Sequence, residues 1–117
     1  MQALSLIIFG EPASKSNSRR LVRFGSMSRL IKSAKALSYA DAFKHQVSQL
    51  TYEPFTEDVV VTMTIYYASR RPDLDESLIL DLLQGVTYLN DRQVKEKHIY
   101  WGLDKENPRC EIVVSKK

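Results

Sequence analysis

One cysteine, Cys110, stands in a chain of 117 residues, so no internal disulfide can form. The chain also lacks a secretory signal, and the two absences together make a reducing cytoplasm the expected setting. Long apolar runs are missing as well. The N-terminal run Leu4 to Phe9 has no basic residue before it and stops at Gly10-Glu11-Pro12. It is too short to cross a bilayer and lacks the flanks of a signal peptide, so no membrane partner is expected. There is no internal repeat, no low-complexity tract and no linker. A chain of this length suits one domain spanning residues 1–117. At 44% apolar and 26% charged, the composition is that of an ordinary globular domain rather than a disordered one.

The most informative absence is local. Residues 15 to 35 contain no acid, yet they hold Lys15, Arg19, Arg20, Arg23, Arg29, Lys32 and Lys35. That block is +7 in a chain of net charge +3, which leaves −4 for the rest. A basic block in an otherwise acidic chain suits contact with a phosphate backbone. The plainer alternative is a solvated loop.

Leu4, Leu6 and Ile8 alternate in an apolar run, which predicts a buried strand over residues 3 to 9. Residues 13 to 32 are polar, basic and aperiodic, which predicts a long loop. Ala36, Ala40, Phe43, Val47 and Leu50 recur at helical spacing, which predicts a helix over 34 to 50 with Ser33 as N-cap. Val59, Val61, Met63, Ile65 and Tyr67 share one face of a strand over 58 to 67. A short helix from about 74 to 84 follows, with Leu74, Leu78 and Leu82 one turn apart and Gly85 at its C-terminal end. Residues 94 to 103 and 109 to 115 read as strands, with Asn107-Pro108 in the turn between them. The predicted order is β-α-β-α-β-β, an α+β (α/β-class) domain in which two helices pack on one face of a mixed sheet.

Chemistry concentrates in Arg71-Pro72-Asp73-Leu74-Asp75, where two carboxylates lie two residues apart at a strand-to-helix junction. Asp73 outside the helix and Asp75 in its first turn can aim at one point, and carboxylates are the hard oxygen ligands that Mg²⁺ prefers. The competing reading is that both acids serve the helix start, as caps or as charges favoured by its dipole. Asp91, in Asn90-Asp91-Arg92-Gln93 after the same helix, is a third candidate ligand, or simply part of a turn.

Together these motifs resemble the RusA-type Holliday junction resolvases, a family of crossover junction endodeoxyribonucleases. The resemblance rests on Pro72-Asp73-Leu74-Asp75, then Leu80-Asp81-Leu82-Leu83-Gln84-Gly85-Val86, then Tyr88, then Asn90-Asp91-Arg92-Gln93-Val94. The N-terminal strand leading into Lys15-Ser16-Asn17-Ser18-Arg19-Arg20 adds to it. It implies three acidic residues, here Asp73, Asp75 and Asp91, that both ligate metal and carry catalysis. It also implies a Mg²⁺-dependent endonuclease, with Mn²⁺ as a possible substitute, that acts as a homodimer on four-way junctions and other branched DNA. Many such proteins are encoded by phages or prophages, and their setting is then the bacterial host cytoplasm. The expected reaction is phosphodiester hydrolysis, with Lys15, Arg19, Arg20 and Arg23 holding the DNA backbone without reading sequence. Arg70 and Arg71 flank the acid box and could contact the scissile phosphate.

Two departures stand out. The family box continues with Asp-Asn and a lysine a few residues into the helix, whereas this chain reads Asp75-Glu76-Ser77-Leu78-Ile79. The span from the box to Gly85 is also about two residues shorter, so that lysine's role passes to no residue by alignment. Glu76 could add a fourth carboxylate, and Asp81 reads as a solvated acid. Lys95 and Lys97 either touch phosphate or mark an edge strand. His98 reads as structural, and Tyr100 and Trp101 as core or dimer surface. The rival readings are a branched-DNA-binding protein with impaired catalysis, and a small interaction protein whose acids are only caps and turns.

Overall fold

In the computed structural model the described residues are 3–13, 34–50 and 52–117, together with the backbone of 19–24 and 27–32. Four strands form the main sheet: β1 (Ala3–Phe9), β4 (Val59–Tyr67), β5 (Val94–Leu103) and β6 (Arg109–Lys116), in spatial order β1-β6-β4-β5. The β1–β6 and β6–β4 pairs are antiparallel, and β4–β5 is parallel. Helices α1 (Ala34–Val47) and α2 (Ser77–Leu82) complete the domain. For the main sheet and helices this is the expected order β-α-β-α-β-β.

One addition lies where a loop was expected. Residues 19–24 (β2) and 27–32 (β3) form a separate antiparallel pair, with Arg19 opposite Lys32 and Phe24 opposite Met27. Backbone pairing thus takes up most of the basic block. Arg19, Arg20 and Arg23 fall on β2, while Lys15 and Ser33 lie outside the described residues.

Period-two patterning explains the core. Val59, Val61, Met63, Ile65 and Tyr67 on β4, Cys110, Ile112 and Val114 on β6, and Leu6 and Ile8 on β1 are buried. They pack against Ala36, Tyr39 and Phe43 of α1 and against Leu78, Ile79 and Leu83 in and just after α2. Both helices therefore cover one sheet face. The opposite face leaves Ile7, Phe9, Tyr100 and Val113 exposed, so β1 is buried on one side only. Helix α1 ends at Val47, three residues short of the expected Leu50, which is exposed.

An irregularity in β5 matters for the site. Val59 pairs with Val94 but Val60 pairs with Glu96, so Lys95 is an extra residue in the ladder. A bulge of this kind re-aims every side chain after it. Beyond it Lys97, Ile99 and Trp101 pair with Val61, Met63 and Ile65, which puts them on the helix-covered face.

Candidate active site

The acid box is not a free loop. The Trp101 indole Nε1 donates to the Pro72 carbonyl at 3.1 Å. The Tyr67 hydroxyl donates to the Asp73 carbonyl at 3.1 Å and accepts from the Asp75 amide at 3.2 Å. Tyr67 and Trp101 stack with ring centroids 5.8 Å apart. Strand residues thus fix the backbone of Pro72, Asp73 and Asp75. Burial pushes the Tyr67 hydroxyl above its ordinary pKa, with the bond from the Asp75 amide acting against that. The phenol is therefore neutral and can be donor and acceptor at once.

These bonds correct the expected helix boundary. Residues 73–75 are held out of the helix, which begins at Ser77 with Glu76 at its N-cap, and Leu74 is exposed rather than on a packed face. Asp75, expected in the first turn, precedes it, and its Oδ1 accepts from the Ser77 amide at 3.0 Å. The cap-like reading of Asp75 is thereby partly met, while Glu76 makes no side-chain cap bond.

Asp91 opens a 3₁₀ turn, Asp91–Gln93, at the foot of β5. Its amide donates to Gln84 Oε1 at 3.0 Å. Asn90 Oδ1 accepts from the Arg92 amide at 2.9 Å. Gln93 Oε1 takes the amides of Leu89 and Asn90, and its Nε2 donates to the carbonyls of Phe55 and Glu57. The Asn-Asp-Arg-Gln motif therefore has a local structural cause: Gln93 ties this turn to the 55–57 segment. Gly85, at φ +83°, donates its amide to the Tyr88 carbonyl and turns the chain after α2. The buried Tyr88 hydroxyl donates to the Leu80 carbonyl at 2.6 Å. Burial raises its pKa, and the charges of Asp91 and then Asp81 add to the shift.

The box and Asp91 thus flank the two ends of α2, a six-residue helix about 9 Å long at 1.5 Å per residue. Among the described residues the Asp73 and Asp91 carboxylates, both exposed, take no hydrogen bond or salt bridge. The donor chemistry fits a hard divalent cation. The gathered geometry does not: among the described residues no three His, Cys, Asp or Glu side chains converge as a metal cluster.

Other candidates separate clearly. Arg70 and Arg71 are exposed just before the box, and Asp81 is exposed. Glu76 is engaged by Lys97, whose Nζ lies 2.6 Å from its Oε2. Lys97 also lines a concavity of about 260 Å³ with Leu80, Asp91, Val94, Lys95 and Glu96. His98 is oriented by Glu96 at 2.6 Å. Glu96 is held below the usual carboxylate range by hydrogen bonds from Lys117 and then His98. His98 pairs with Thr62, however, on the sheet face away from the box. Sequence reading missed Tyr67 and Trp101 as supports. The available signal was that Tyr67 ends the best strand, six residues before Asp73.

An α+β domain that holds acidic segments rigidly at its surface, with cations beside them, fits the class of phosphodiester hydrolases acting on DNA. Residues 10–115 match the family described as Endodeoxyribonuclease RusA, and the chain belongs to that family. Its family makes it a Holliday-junction-type endodeoxyribonuclease acting on branched DNA. A search of curated proteins returned no match. Among the described residues no helix is long and apolar enough to cross a membrane.

Proposed function

We propose that this protein is a Mg²⁺-dependent, homodimeric nuclease that resolves four-way and related branched DNA by paired cuts, working in a cytoplasm. The observation that carries the reading is the pinned acid box: the backbone of Pro72, Asp73 and Asp75 is bonded to Trp101 and Tyr67. Functional groups are set by such support rather than left on a free loop. Asp73, Asp75 and Asp91 would hold the metal, which when bound supplies charge stabilisation and a better nucleophile. The three do not converge as a metal cluster in this structure.

The chain's own residues have assignable work. Lys15, Arg19, Arg20 and Arg23 neutralise backbone phosphates, and Arg70 and Arg71 hold phosphates next to the box. In the reaction a water oxygen attacks phosphorus in line, the bond to the leaving sugar oxygen breaks, and that oxygen takes a proton. Two cuts on a pseudo-symmetric junction call for two sites related by a two-fold axis, hence the homodimer. The test is cleavage of junction and linear DNA in Mg²⁺, in Mn²⁺ and in EDTA. Junction cutting that EDTA abolishes is the expected result. Tight junction binding without cutting in either metal would favour the impaired-catalysis reading instead.

A further inference from the structure

We infer that Lys97 is the cation that grips the scissile phosphate, an assignment that rests on the nuclease reading above. Its ammonium is ion-paired to the acid segment, through Glu76 at 2.6 Å. The same side chain lines the concavity that Asp91 shares, so it spans the two acid-bearing segments. Helix α2 offers no alternative: its sequence Ser-Leu-Ile-Leu-Asp-Leu has no basic residue, and Leu78 and Ile79 are buried.

The strand explains why Lys97 is aimed there. Lys97 and Trp101, four residues apart, share one side of β5, and the bulge at Lys95 sets that side as the helix-covered face. Trp101 fixes Pro72 and Lys97 fixes Glu76, four strand residues apart, or about 13 Å at 3.3 Å per residue. One strand therefore holds both ends of the acid segment. An ammonium has three donors, and Glu76 takes one of them. Lys97 is half exposed while Glu76 is 17% exposed, so its remaining donors face solvent where a phosphate would lie. If its role were only an ion pair, its removal would have little effect, because half-exposed pairs contribute little to stability.

The experiment is single-turnover junction cleavage in Mg²⁺ by purified full-length protein, with junction affinity in EDTA and thermal unfolding measured alongside. Lys97→Ala should cut about 10²-fold more slowly, as expected when one positioned charge is removed from the transition state. Its affinity should stay within about threefold and its unfolding temperature near that of the wild type. Lys44→Ala removes the same charge from an exposed position on α1 outside this concavity and should cut within about threefold of wild type. Lys97→Cys, treated with 2-bromoethylamine, should regain most of the lost rate. The native thiol, Cys110, is buried and will not compete. The proposal is overturned if Lys97→Ala cuts at the wild-type rate. It is equally overturned if Lys44→Ala loses as much, or if aminoethylation restores nothing. A wild-type protein that cuts no junction brings down the nuclease reading itself, and this assignment with it.

Discussion

The Tyr67 hydroxyl sits between Asp73 and Asp75, donating to the carbonyl of the first and accepting from the amide of the second. A strand end thus holds the segment that carries the acids, through a residue that is 2% exposed. Tyr67→Phe keeps the ring and its stacking on Trp101 but removes both bonds. At about 0.5–1.5 kcal/mol per hydrogen bond, stability should fall by roughly 1–3 kcal/mol. Cleavage should fall about tenfold or more through misplacement, since an error of about 1 Å costs up to ~10²-fold. Chemical denaturation and single-turnover cleavage check this. Full activity in Tyr67→Phe would show that the pinning has no role in chemistry.

The basic hairpin β2–β3 should supply affinity without sequence preference. Arg19→Ala with Arg20→Ala should weaken binding to all junction sequences alike. The salt slope should fall in magnitude by about two, at roughly 0.9 per phosphate contact. Titrations across salt measure it, and an unchanged slope would count against the hairpin as a phosphate contact.

Assembly is open to direct measurement. Sedimentation at micromolar concentration should report about twice 13.5 kDa. A monomer both alone and with junction DNA would contradict paired cutting by one two-fold assembly.

Alkaline pH should destabilise the fold. Burial pushes the Cys110 thiol from its ordinary 9.0 up to about 12. It also raises the hydroxyls of Tyr39, Tyr67 and Tyr88 above their ordinary 10.0. Each group is neutral when protonated, so folding favours its protonated form. This contribution is complete below about pH 9 and is lost as pH rises toward the folded values. The urea midpoint should fall between about pH 8 and pH 10.5. A midpoint that does not move would contradict it.

Much of this was legible in sequence because it follows from periodicity. The alternation of Val59 to Tyr67 gave β4 and its buried face, and Ala36, Ala40 and Phe43 gave the packed face of α1. The hairpin was hidden because seven cations mask two short apolar runs, Leu21-Val22 and Leu30-Ile31, of which the register sets only Leu21 and Leu30 opposite one another. The start of α2 was misplaced because tertiary bonds from Tyr67 and Trp101 override the local leucine spacing. Motif spacing pointed to Asp73, Asp75 and Asp91. It named Lys95 and Lys97 together as candidate phosphate contacts but could not separate them, because the aim of Lys97 depends on a one-residue bulge.

Asp75→Asn shows whether the box acids carry the chemistry. Asparagine keeps an Oδ1 that can accept from the Ser77 amide, so the local fold should survive. It removes the negative charge that a hard cation requires. In Mg²⁺, single-turnover cleavage of a four-way junction should fall by orders of magnitude. Junction binding should persist or tighten, because a charge beside the DNA backbone is gone. Cutting at the wild-type rate by purified Asp75→Asn would contradict the account.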